Sequence, residues 1–141
     1  MEPRQQIAIS AFVSDRTPRP LMGPILSFDL PAEIASLHAE QVWRDHGHNA
    51  RTLIKHSEFR LVLISLQAGK HVHARETDEP LALQMLSGSA RVHVPTEVVE
   101  LKAGQLLSLD RNIPYEIETV DTCELLLWLG WSKDAPQPRT G

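Results

Sequence analysis

Residues 68–88, AGKHVHARETDEPLALQMLSG, set two histidines one residue apart, His71 and His73, ahead of a cation, a hydroxyl and three acids. On a strand, residues i and i+2 share a face about 7 Å apart at Cα, so two such imidazoles can converge on one ion. Two ligands fall short of a normal site for a divalent transition metal, which draws at least three donors from the protein. A third would have to come from Glu76, His93, Asp110 or Glu116. Without it, the pair reads as a polar rim whose histidines bond locally and meet water.

A second chemistry needs no metal. Arg75 carries a planar fork of donors that grips a carboxylate or phosphate through two parallel hydrogen bonds. Thr77 adds a hydroxyl and Tyr115 a phenol, with His73 near them in sequence. This set suits a small anionic ligand such as an organic acid or a phosphosugar. His73 and Tyr115 also offer a base and an acid for proton transfer near neutral pH. The opposing reading pairs Arg75 with Asp78, Glu79 or Asp110, lets Tyr115 fill volume and admits no ligand.

The remaining histidines suggest less. His46 and His48, in DHGH, fall in a turn after a helix and read as solvated. His38 lies on that helix and His56 beside a turn, and both read as ordinary satisfied residues. His93 alternates with Val92 and Val94 and so faces away from them. The single cysteine, Cys123, sits in TCELLLWLGW and reads as a buried small hydrophobe.

The elements that position these groups follow from period. PAEIASLHAEQVW, residues 31–43, reads as one helix, with Pro31 at the first helical position, Glu33 in the first turn and favourable to the helix dipole, and Ile34, Leu37 and Val42 on one stripe. Before it, QIAISAFV has the pattern of a short strand, SDRTPRPLMGP that of an extended arm, and ILSFDL that of a strand. From residue 50 the period becomes two. About eight short apolar stretches follow, from ARTLIKH to CELLLWLG, divided by glycine, proline or charge. Such spacing predicts an antiparallel sandwich or barrel. LVLI, LAL and LLLWL are apolar on both faces, so an outer face must be covered by the helix, the arm or a second subunit. A homodimer is the expected cover, with Trp128 and Trp131 at its interface.

A glycine ending a strand (Gly69), a histidine-rich turn, an apolar strand ending at Gly88, and then LKAGQLLSLDRNIPYEIE give an order that resembles the cupin superfamily. The likeness covers about residues 68–120 and is to small single-domain bacterial cupins with an RmlC-like jelly roll. It implies an all-β fold: a double-stranded β-helix preceded by an extended N-terminal arm and one short α-helix. The implied organisation is one domain over 1–141, with an arm at 1–23, strand plus helix at 24–49, the barrel at 50–131 and a polar tail at 132–141.

The cupin motifs also imply where a metal would sit. Laid without gaps from Gly69, the form G-x5-H-x-H-x3-E-x6-G ends on Gly88 and puts its three ligand positions on Arg75, Thr77 and Leu81. The second motif, laid from Gly104, puts its histidine position on Tyr115 and its Pro, Gly and Asn positions on Asp110, Asn112 and Thr119. A cation, a hydroxyl, an alkyl chain and a phenol replace the ligand set, so no cofactor is expected at those positions. The alternative is a metal-dependent oxygenase or isomerase: on one uninterrupted strand from His71 to Leu81, His71 and His73 share the parity of Arg75 and point into the barrel mouth, and a slip of register lets them hold Fe, Mn, Ni or Zn. A third possibility is a structural or interaction dimer with a filled barrel.

Composition bounds the rest. A formal net charge of −4 with no basic cluster argues against nucleic acid as a partner. No run of about 18 apolar residues spans a membrane. The first two dozen residues carry no apolar core of signal-peptide type. With one cysteine, the chain is expected in the cytoplasm.

Overall fold

The computed structural model describes residues 6–12, 23–74 and 78–130. Arg75, Glu76, Thr77 and Trp131 lie outside them, as do most of the arm and the whole of the tail. Ten strands form two five-stranded sheets. Sheet A has the order β1-β4-β9-β6-β7: β1 (Gln6–Ala8), β4 (His71–Ala74), β9 (Tyr115–Thr119), β6 (Ser89–Val94) and β7 (Glu97–Lys102). Sheet B has the order β2-β3-β10-β5-β8: β2 (His48–Lys55), β3 (Arg60–Leu66), β10 (Cys123–Leu129), β5 (Leu81–Ser87) and β8 (Leu106–Leu109). All pairings are antiparallel except β1 with β4, which run parallel. This is the β-rich jelly roll that the period-two pattern and the cupin rhythm imply.

The core lies between the sheets. Val72, Ala74, Val92, Tyr115 and Ile117 from sheet A meet Val62, Ile64, Leu83, Met85, Leu125 and Leu127 from sheet B. Strand alternation then turns the odd residues of β4 and the even residues of β9 outward. Gly88 makes the β5–β6 turn possible. Its φ is +83°, and a Cβ there would stand 2.2 Å from the Thr122 carbonyl oxygen.

A second, smaller cluster sits on the outer face of sheet B. Helix α1 (Leu30–Ala39) lays Leu37 against Leu53, Leu61, Leu63 and Leu126, with Phe28 and Ile34 at the edge. The helix is therefore a cover for the both-faces-apolar strands. Asp29 caps it by accepting from the Ala32 N–H at 3.2 Å. The single helix expected over 31–43 is in fact two, because Glu40 takes an extended conformation and a short α2 (Gln41–His46) follows. Tertiary partners account for the break. Glu40 accepts from Arg51 at 2.6 Å and from Asn49 at 3.1 Å, holding the chain on sheet B. Val42 leaves the apolar stripe and is exposed. ILSFDL is not a strand, since Phe28 and Leu30 pack on the outer cluster and Asp29 caps the helix.

Part of the expected arm is structured. β1 pairs with β4, a 3-10 turn follows at Ile9–Phe12, and Ile7 and Phe12 are buried in the core. No described helix is long and apolar enough to cross a membrane.

Candidate functional site

β4 and β9 place the candidate residues, and their register corrects one expectation. The chain does not run as one strand from His71 to Leu81. β4 ends at Ala74 in sheet A, and Leu81 opens β5 in sheet B. Val72 and Ala74 point into the core, so His71 and His73 point outward rather than into the barrel mouth.

Tyr115 faces the barrel interior. It pairs with Ala74, shares the inward face with Ile117, and is 4% exposed. Its hydroxyl is shielded from solvent and has no hydrogen-bond partner among the described residues. Burial, with the charge of Glu79 adding to it, pushes the phenol pKa well above the usual tyrosine range, so the group is a neutral donor. Leu81, at another of the motif's ligand positions, is buried in the same core. A buried alkyl chain and a neutral phenol do not fit a metal ion, so these inward positions are not read as a metal centre.

At the ends of β4, β9 and β6 a shallow cleft of about 320 Å³ opens. It is lined by Gln6, His73, Ala74, His93, Val94, Pro95, Pro114, Tyr115 and Glu116. Two expected ligand-binding residues, His73 and Tyr115, thus share one cleft from opposite faces of the sheet. Arg75 and Thr77 lie outside the described residues.

The outer face of sheet A is a checkerboard of charge. His73 stands opposite Glu116, and Glu116 opposite His93; one row along, His71 stands opposite Glu118, and Glu118 opposite Arg91. His93 Nε2 lies 3.0 Å from Glu118 Oε1, and this hydrogen bond is the main cause holding the Glu118 carboxyl below its usual range. Gln6 donates to Glu116 Oε1 at 3.1 Å. Of the third ligands weighed for His71 and His73, Glu116 and His93 come to this face. Asp110 follows β8, in the other sheet, and Glu76 is outside the described residues.

Sequence reasoning missed a polar cluster under helix α1. Ser65 donates to Glu124 Oε2, Ser87 donates to Glu124 Oε1 at 3.0 Å, and His38 Nε2 lies 2.7 Å from Ser65 Oγ. Trp43 stacks on His38 with ring centroids 4.2 Å apart. A polar residue at an outward position in each of two apolar strands, LVLISL and CELLLWL, was the available signal. The hydroxyl of Ser65 is spent on the carboxylate, so the trio is a structural clamp and does not set up a nucleophile.

The other histidines mostly match their reading. His56 Nδ1 accepts from the Glu58 N–H at 3.1 Å, and His93 faces outward. His48 differs: it opens β2 against the Phe12 ring, and burial, then the charges of Lys70 and His46, lowers its pKa. Cys123 is buried, and its thiol is pushed up to about 11, chiefly by burial.

No family model and no curated protein matches the chain. Solved structures do. The chain is similar to salicylate 1,2-dioxygenase from Pseudoaminobacter salicylatoxidans, with a TM-score of 0.69 and 16% identity over 79% of this chain and 36% of that one. It therefore spans only about a third of the dioxygenase. A conserved protein of unknown function from Streptococcus pyogenes aligns with a TM-score of 0.62 and 19% identity, over 89% of this chain and all of that one. A cupin superfamily protein from Desulfitobacterium hafniense aligns with a TM-score of 0.57 and 15% identity, over 60% and 78%. At these identities the likeness establishes architecture: the chain has the cupin jelly-roll fold. The fold hosts many unrelated activities, and what this chain does must be argued from its own residues.

Proposed function

We propose that the protein is a small-molecule binding cupin that takes a small organic anion at the barrel mouth without the usual inward metal centre. The observation that carries this reading is the Tyr115 hydroxyl, buried in the barrel beside a cleft and without a hydrogen-bond partner among the described residues. An unsatisfied buried hydroxyl costs about 1–3 kcal/mol, which a bound acceptor removes. A neutral phenol donates to a carboxylate or phosphate oxygen. In this reading Arg75, next in the chain after Ala74, supplies the matching cation and Thr77 a hydroxyl, while His73 reaches the shared cleft from the outer face of the sheet. Salicylate, the acid in the dioxygenase's name, is a carboxylate of suitable size for a cleft of about 320 Å³.

The test is calorimetric titration with salicylate, benzoate, succinate and a hexose phosphate. At least one should bind, and Tyr115→Phe should weaken it about fivefold to tenfold, the worth of one hydrogen bond. Arg75→Ala should weaken it further. No binding at millimolar ligand, together with a Tyr115→Phe variant as stable as the parent, would overturn the reading in favour of a filled barrel.

A further inference from the structure

The outer face of sheet A carries a second anomaly, distinct from the phenol. The Nδ1 atoms of His71 and His73 are both shielded from solvent, and neither has a hydrogen-bond partner among the described residues. The His71 side chain keeps only 8% of its exposure. Two buried imidazole nitrogens that make no hydrogen bond among the described residues, two residues apart on one strand, are a standing cost that a single shared ligand would remove. Register supplies the third group. Glu116 lies directly opposite His73 and diagonal to His71.

The separation of donors is the informative quantity. Glu116 Oε1 stands 3.4 Å from His71 Nδ1, yet the two are not aligned as a hydrogen bond. Ligands held at about 2.0–2.1 Å from one tetrahedral ion stand roughly 3.3 Å from each other. Nitrogen and oxygen are thus spaced as neighbours around an ion. Gln6 donates to the same carboxylate at 3.1 Å, as the outer partner of a ligating carboxylate does. Among the described residues no three such groups already converge on one point, so an ion would draw His73 in by rotation of its side chain.

We propose that His71, His73 and Glu116 form an outward-facing site for a divalent transition ion of the Zn²⁺ type, on the opposite side of sheet A from the barrel interior. Two imidazoles and one carboxylate leave a fourth position open toward the cleft. His73 borders both sites, but the two readings are tested apart, because the probe here is the bare ion and the variants change His71 and Glu116, which the organic-anion reading does not use.

Metal-stripped, tag-free full-length protein titrated with Zn²⁺ in a calorimeter should bind one equivalent with Kd on the order of micromolar or tighter. Co²⁺ in its place should develop the visible bands of a tetrahedral or five-coordinate ion. His71→Ala and Glu116→Gln should each weaken binding at least about tenfold. Glu118→Gln, on the same face, should leave it within about twofold, the scatter expected of a residue that is not a ligand. Circular dichroism identifies any variant that fails to fold. If His71→Ala does so, the shape-conserving Glu116→Gln decides the matter alone. No binding by the parent chain, or binding that survives both substitutions, would overturn the proposal. The second outcome would move the ion elsewhere, with His46 and His48 the first place to look.

Discussion

The outer face of β10 carries Glu124, Leu126 and Trp128, and helix α1 lies over part of it; the outer face of β9 carries Glu116 and Glu118, and neither described helix packs on it. Both strands are central in their sheets and both present carboxylates outward. Glu124 is 9% exposed and fully provided for: Ser65 and Ser87 donate from β3 and β5, and His38 reaches down from the helix. The register shift between Glu124 and Leu125 sets Ser87 opposite Glu124 and so makes the second bond available. On sheet A the carboxylates meet three histidines and an arginine, and two buried imidazole nitrogens make no hydrogen bond among the described residues. A buried polar group with every bond made is architecture. One with bonds missing is where a ligand can be bound.

The comparison can be broken by removing what each face relies on. The largest effect should come from the apolar side of sheet B. Leu63 is fully buried under helix α1, and Leu63→Ala should cost about 2–5 kcal/mol in urea unfolding, whereas Val98→Ala on exposed β7 should fall within about 0.5 kcal/mol. Equal effects would mean that the helix is not a structural cover. Next, Glu124→Ala should cost about 1–3 kcal/mol, because it strands two serine hydroxyls and a histidine. A neutral result there would show that the clamp merely breaks even with its desolvation.

The smallest effect at neutral pH concerns Tyr115, the only tyrosine in the chain, whose ionisation can be followed by ultraviolet absorbance without interference from another. Its folded pKa lies above the unfolded value near 10. Between the two values the unfolded chain has lost a proton that the native chain keeps. The stability this contributes is therefore full below about pH 10 and is lost as pH rises toward the folded value. No tyrosinate should appear before unfolding begins. Titration near 10 in the native state would open the phenol to water and sharpen the case for an accessible mouth.

Much of this molecule was legible from residue order. Alternation from residue 50 gave the strands, and the spacing from Gly69 to Gly88 and onward from Gly104 gave the jelly roll. The misses have physical causes. HVHA, only four residues long, looked continuous with the strand after it, because periodicity does not report that a chain has crossed from one sheet to another. That crossing determined the direction in which His71 and His73 point. ILSFDL has strand composition but no neighbouring edge to pair with, and the break at Glu40 arises from Arg51 and Asn49, partners distant in sequence. Tyr115 lies on the inward face, where core packing leaves a repeating trace in the sequence. Outward positions leave no such trace, and neither the Glu124 clamp nor the Glu116 pairing could be placed beforehand.

The parallel pairing of β1 with β4 bears on the order in which the chain can assemble. β4 is itself held to sheet A only through β9, some 45 residues further on, and β9 in turn joins β6. During synthesis the segment carrying Ile7 and Phe12 emerges early, yet its docking edge is complete only after Thr119 has been made. β1, made before every other described strand, should thus be among the last to find its place. Until then two core side chains must wait in solution, a time cost set by topology rather than by any single contact.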